Sequence, residues 1–96
     1  MKIGTLLHTA RERHGFSLDV LAGKVKVSAS TLSRIENHDQ SRVPSAELLG
    51  RLAKALDLSP DEVFPAAGRL PPDVTAWLLT TPGALGAVRQ KMKRAA

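Results

Sequence analysis

The stretch from Leu21 to Glu36, LAGKVKVSASTLSRIE, constrains this chain more than any other. Apolar residues recur at helical spacing on both sides of a break at Lys26-Val27, with Leu21, Ala22 and Val25 before it and Leu32 and Ile35 after it. Each set makes one stripe on a helix. Two stripes so close in sequence can share a core only if the chain bends sharply between them. Such an elbow needs a small residue where the helices approach, and Ala22 supplies it. Leu21, Val25, Val27, Leu32 and Ile35 fill its inside, and Ser28, a favoured N-cap, starts the second helix directly after the turn.

The same punctuation extends along the chain. A first helix is predicted from Ile3 to His14, with Ile3, Leu7 and Ala10 inward and Gly15 as its C-terminal stop. Ser17 caps the helix that carries Leu18, Leu21, Ala22 and Val25. Ser45 caps a fourth with Leu48, Leu49, Leu52, Ala53 and Leu56 inward. Ser59-Pro60-Asp61-Glu62 combines a cap, an N1 proline and an acidic first turn, and opens a short fifth helix ending near Phe64. Pro65 to Pro72 then reads as a linker. A sixth helix starts at Pro72 and is expected to bury Val74, Trp77 and Leu78; Thr81-Pro82 restarts the chain into a last helix with Leu85, Val88 and Met92 in register. No alternating strand pattern occurs, and a core with one Trp, two Phe and no Tyr must be built from aliphatic residues. The expected fold is all-α, with residues 1–64 as one domain and residues 65–96 as a linker and two short helices.

With the inside of the elbow assigned, Ser28, Ala29, Ser30, Ser33, Arg34 and Asn37 are left facing outward. Small and polar residues at the start of a helix let it approach base edges in a DNA groove closely. Arg34 is the one long cation on that face, and a bidentate arginine on guanine is the commonest specific base contact. Ser28 and the helix N-terminus suit a phosphate oxygen.

These residues closely resemble the phage repressor/Cro (XRE-type) helix-turn-helix family. The resemblance runs from about Ile3 to Phe64 and rests on Leu21-Ala22, Val27-Ser28, Ser33-Arg34-Ile35-Glu36, Pro44-Ser45 and Leu52-Ala53-Lys54-Ala55-Leu56. It implies a five-helix repressor-like domain that binds double-stranded operator DNA as a two-fold dimer. Matched residue by residue, it implies base contacts from Ala29, Ser30 and Arg34, and phosphate contacts from Ser17, Ser28, Asn37 and Arg42. It also implies a structural ion pair between Arg11 and Glu36. The chain departs from the pattern at Lys26, where the family usually has glycine: a left-handed backbone there costs a non-glycine residue about 1 kcal/mol, and a phosphate contact from Lys26 would offset it. It departs again at Ala29 and Ser30, where longer side chains are usual, which shifts weight to DNA shape.

The formal net charge of +5 adds little to that reading. Residues 1–64 hold 9 Lys/Arg against 8 Asp/Glu (+1), and residues 65–96 hold 5 against 1 (+4). The surplus lies in the tail, where Arg89, Lys91, Lys93 and Arg94 form either a solvated end or a source of non-specific phosphate attraction. The chain has no cysteine, which excludes disulfides, thiolate metal sites and a thiol nucleophile. His8 and His14 fall on different helix faces without paired carboxylates, so no metal or cofactor is expected. Ser17, Ser28 and Ser33 have helix roles and no partner base, so no enzyme activity is expected. No apolar run approaches the ~20 residues that span a membrane, and the N-terminus lacks a secretory apolar core; a cytoplasmic protein is expected.

Trp77, Leu78, Leu85, Val88 and Met92 form the apolar set outside the motif. They either pack back on the front domain or form an interface, for a homodimer or for a partner protein. The leading expectation is therefore a sequence-specific transcriptional regulator, a repressor dimer on a palindromic operator. The alternative is a DNA-binding antitoxin-type protein whose tail binds a partner.

Overall fold

The computed structural model describes residues 2–37 and 43–95, which form seven helices and, among the described residues, no strand. In chain order they are α1 (Ile3–Arg13), α2 (Leu18–Val25), α3 (Ala29–Glu36), α4 (Ala46–Ala55), α5 (Pro60–Ala66), α6 (Pro72–Thr80) and α7 (Ala84–Ala95). The all-α expectation holds.

Serines fix the starts of four helices. The Oγ atoms of Ser17, Ser28, Ser45 and Ser59 accept from the backbone N–H of Val20, Thr31, Leu48 and Asp61 at 3.1 Å each. Each cap satisfies an otherwise unpaired donor and contributes about 1 kcal/mol. The ends follow a second rule. Gly15, Lys26, Asp57 and Gly68 are all left-handed, with φ of 71°, 60°, 54° and 75°. After each, the next residue's N–H reaches back to a carbonyl in the last helical turn: Phe16 to Arg11, Val27 to Ala22, Leu58 to Ala53 and Arg69 to Phe64. This is the Schellman closure, which glycine adopts without strain. Lys26 and Asp57 adopt it with a Cβ in place.

Helices α1 to α5 enclose the core. Leu7, Leu21, Val25, Leu32 and Leu52 are fully buried where α1, α2, α3 and α4 meet. Leu49, Ala53, Val63 and Phe64 make an adjoining cluster between α4 and α5, and Ile3 and Leu58 pack against both. The inside of the elbow is therefore the inside of the domain. The angle of α3 to α2 is held by residues of α1 and α4 as well as by the turn.

Helix α5 runs two residues beyond Phe64 and includes Pro65, which sequence reasoning placed in a linker. The ring removes a single donor late in the helix, while burial of Val63 and Phe64 and the closure at Gly68 hold the last turn. The tail departs further. Helices α6 and α7 pack chiefly on each other, and α6 has no buried residue. Val74 and Leu78 are only half-buried and Trp77 is 52% exposed, so the expected burial of these three does not occur. Two short helices have too little surface to enclose an indole, and in α7 the one buried residue among those described is the small Ala84. The molecule is correspondingly elongated, 45 × 26 × 26 Å.

Candidate nucleic-acid interface

The outer face of α3 is built from its N-terminus upward. Ser28 Oγ caps the helix and lies 2.8 Å from Thr31 Oγ1 and 3.1 Å from Ser30 Oγ. Three hydroxyls thus cluster where the helix N–H groups point outward, the arrangement that favours an anion. Thr31 escaped sequence reasoning; its position three residues after the cap was the available signal. One turn on, Arg34 is exposed. Asn37, at the C-cap, donates from Nδ2 to Ser33 Oγ at 3.2 Å.

Ala29 is placed differently from expectation. Its methyl is half-buried against the core, three residues before Leu32 and on the same stripe. The outward face of α3 therefore consists of Ser30, Arg34 and Asn37, flanked by Thr31 and Ser33. Ser17 is exposed at the N-terminus of α2, its Oγ occupied by the Val20 N–H. Lys26 is exposed in the turn, at φ 60° and ψ 47°. Arg42 lies outside the described residues.

Behind the face, Arg11 and Glu36 pair through two hydrogen bonds, Nε to Oε2 at 2.7 Å and Nη2 to Oε1 at 3.0 Å. Both side chains are largely buried, 12% and 6% exposed. Arg11 Nη1 also donates to the Phe16 carbonyl at 2.8 Å, so one guanidinium ties α1, the loop before α2 and the end of α3. Burial pushes the Glu36 carboxyl up, but hydrogen bonds from Arg11 and His8 outweigh it and hold the group below the usual range. The Arg11 guanidinium is raised, chiefly by its hydrogen bond to Glu36. A carboxylate at a helix C-terminus opposes the helix dipole, so Glu36 needs these partners. His8 joins them with Nδ1 2.8 Å from Glu36 Oε1 and Nε2 2.9 Å from Glu12 Oε1. The sequence carries no sign of this role for His8, since nothing local links positions 28 residues apart.

A second clamp holds the elbow from the other side. Arg51 of α4 donates from Nε to the Val25 carbonyl at 3.0 Å, at the C-terminal end of α2, and from Nη1 to Glu47 at 2.9 Å. The Lys24 ammonium sits 5.0 Å over the Phe16 ring, which itself stacks on His14. No group of His, Cys, Asp or Glu among the described residues could hold a metal. No helix among them is long and apolar enough to cross a membrane.

An elbow of two short helices, the second exposing a polar face with one arginine, defines a helix-turn-helix protein. The model of the family described as "Helix-turn-helix domain" matches residues 2–64. The chain belongs to that family, in its phage repressor/Cro (XRE-type) form, and carries the fold of its DNA-binding regulators. Among solved structures it is similar to a chain of the SinR protein/SinI protein complex, with a TM-score of 0.57 and 26% identity over 97% of this chain and 93% of that one. No curated protein matches it.

Proposed function

We propose that the chain is a sequence-specific transcriptional repressor of the cytoplasm that occupies a palindromic operator as a homodimer. Residues 1–64 form the DNA-binding unit and residues 65–96 an assembly arm. Helix α3 enters the major groove, with Arg34 and Ser30 reading base edges and Ala29 offering only the exposed edge of its methyl. Ser17, Ser28, Lys26, Asn37 and Arg42 contact phosphates. In a dimer the two α3 helices stand about 34 Å apart, one helical turn of DNA.

The observation that carries this reading is the exposed polar face of α3. Arg34 is its only cation, and the two arginine clamps beneath it fix its direction. Replacing Arg34 with Ala is expected to weaken operator binding by about 1–3 kcal/mol and to relax preference at one base pair, with the melting temperature unchanged. Full affinity and unaltered preference in that variant would place the groove-facing helix elsewhere.

Self-association is assigned to α6. Trp77 is half-exposed, Leu78 lies beside it, and from Leu70 to Thr80 the only charge is Asp73, so the face offers a second copy a nearly uncharged surface. A second reading, a DNA-binding antitoxin-type protein, is favoured by the apolar side chains α7 leaves exposed and by likeness to a chain solved in a complex of two different proteins. In that reading the arm also binds a partner.

A further inference from the structure

We propose that α7 is a docking surface for an acidic amphipathic helix of a partner protein. The inference rests on the reading of residues 65–96 as an assembly arm and names the chemistry that the arm selects. Leu85, Val88 and Met92 are 61%, 40% and 62% exposed. At about 100° per residue they fall within an arc of about 60°, a narrow seam along the helix. Arg89 and Lys93 border the seam on one side and Lys91 on the other, while Arg94 lies toward the far face. All four are exposed.

The charge pattern decides the occupant. From Val74 to Ala96 there is no Asp or Glu, so α7 itself carries no acidic partner for these cations, and Asp73, in the first turn of α6, is the one acidic residue from Pro65 onward. Two copies of α7 laid seam to seam would bring basic shoulders against basic shoulders, the like-charge juxtaposition that directs helices away from self-pairing. A helix with an apolar seam and glutamate or aspartate shoulders fills both requirements at once. DNA would neutralise the cations and leave Leu85 and Met92 in water. A membrane surface calls for a broad apolar face, not three side chains in a narrow arc.

The test uses the full chain and two synthetic helical peptides with the same leucine seam, one with glutamate shoulders and one with lysine shoulders. Binding is followed by anisotropy of the labelled peptide. Trp77, the single tryptophan, serves as an internal reporter in the adjoining helix. The glutamate peptide is expected to bind at least roughly tenfold more tightly than the lysine peptide, and less tightly as salt rises. The variant R89Q/K91Q/K93Q/R94Q changes only exposed side chains, keeps good helix formers, and is expected to remove the preference, with its helix content retained by circular dichroism. The substitution Met92→Asp is expected to abolish binding of the glutamate peptide.

Equal affinity for the two peptides would overturn the proposal. So would binding to vesicles of phosphatidylcholine with phosphatidylserine in place of the acidic peptide, which would make α7 a membrane contact. Duplex binding in the same samples separates this inference from the DNA-binding reading. A chain that binds duplex but not the glutamate peptide refutes the α7 assignment alone. A chain that binds the peptide but no duplex refutes the DNA reading alone.

Discussion

The front five helices and the last two solve the same problem with different means. In α1 to α5 the apolar stripes close on one another, leaving Leu7, Leu21, Leu32, Leu52 and Val63 fully buried, and serine side chains cap four helix starts. In α6 and α7 the stripes are left open. Trp77, Leu79, Leu85 and Met92 are each more than half exposed, and the α6 N-cap, Pro71, makes no side-chain hydrogen bond. The front unit has a core of its own. The arm has apolar surface still to be covered, which is the physical basis for reading it as an assembly element.

The contrast is sharpest in truncations of buried and exposed residues. Replacing Leu52 with Ala is expected to destabilise the fold by about 2–5 kcal/mol in urea titration, because it removes packing and leaves a cavity. Met92→Ala, by the same measurement on the isolated chain, is expected to change stability by less than about 0.5 kcal/mol. Comparable losses would mean that the arm contributes to one cooperative core and would erase the distinction.

Next in size is the clamp behind α3. Glu36→Ala leaves Arg11 with a largely buried charge and no carboxylate, and the expected loss is about 3 kcal/mol. The pH dependence has a definite sign. The folded state holds the Glu36 carboxyl below its ordinary value, so its contribution is fully present above the usual carboxyl range near about 4.3. It is lost as pH falls through the folded value. Stability curves of the wild type and Glu36→Gln should therefore converge on the acid side and diverge toward neutrality. Parallel curves would show that the pair contributes nothing to folding.

A smaller effect, of opposite sign, is expected at the turn. Lys26→Gly relieves a left-handed Cβ and should stabilise the front unit by up to about 1 kcal/mol, part of it offset by the greater freedom of glycine in the unfolded chain. If Lys26 also contacts phosphate, the same variant should bind DNA more weakly and with a shallower salt dependence.

These elements also show how far a sequence of this kind speaks for itself. The serine caps and the stripe of Leu48, Leu49 and Leu52 are local signals, legible because capping and helical period involve neighbouring residues, whereas the left-handed demand at Lys26 is legible only through the family resemblance, since lysine itself carries no such signal. The hydrogen bonds of His8 to Glu36 and of Arg51 to Val25 join residues 28 and 26 positions apart, and only the packed fold brings them together. Asp57 adopts a left-handed φ for which the sequence carries no glycine. Ala29 fits either face by residue type, and its spacing to Leu32 settles it inward. The tail misled differently: the apolar spacing of Val74, Trp77 and Leu78 is real, but periodicity says that a stripe seeks a partner without saying that the chain itself provides one.

The central claim is that the front unit reads DNA through α3 while the arm assembles the protein. Selection of bound duplexes from a random pool at stated salt, with the wild type and Arg34→Ala in parallel, tests it most directly. The predicted result is a palindromic site with half-sites one helical turn apart and a guanine preference that Arg34→Ala loses. A pool that gains no motif, or the same motif from both proteins, would contradict it.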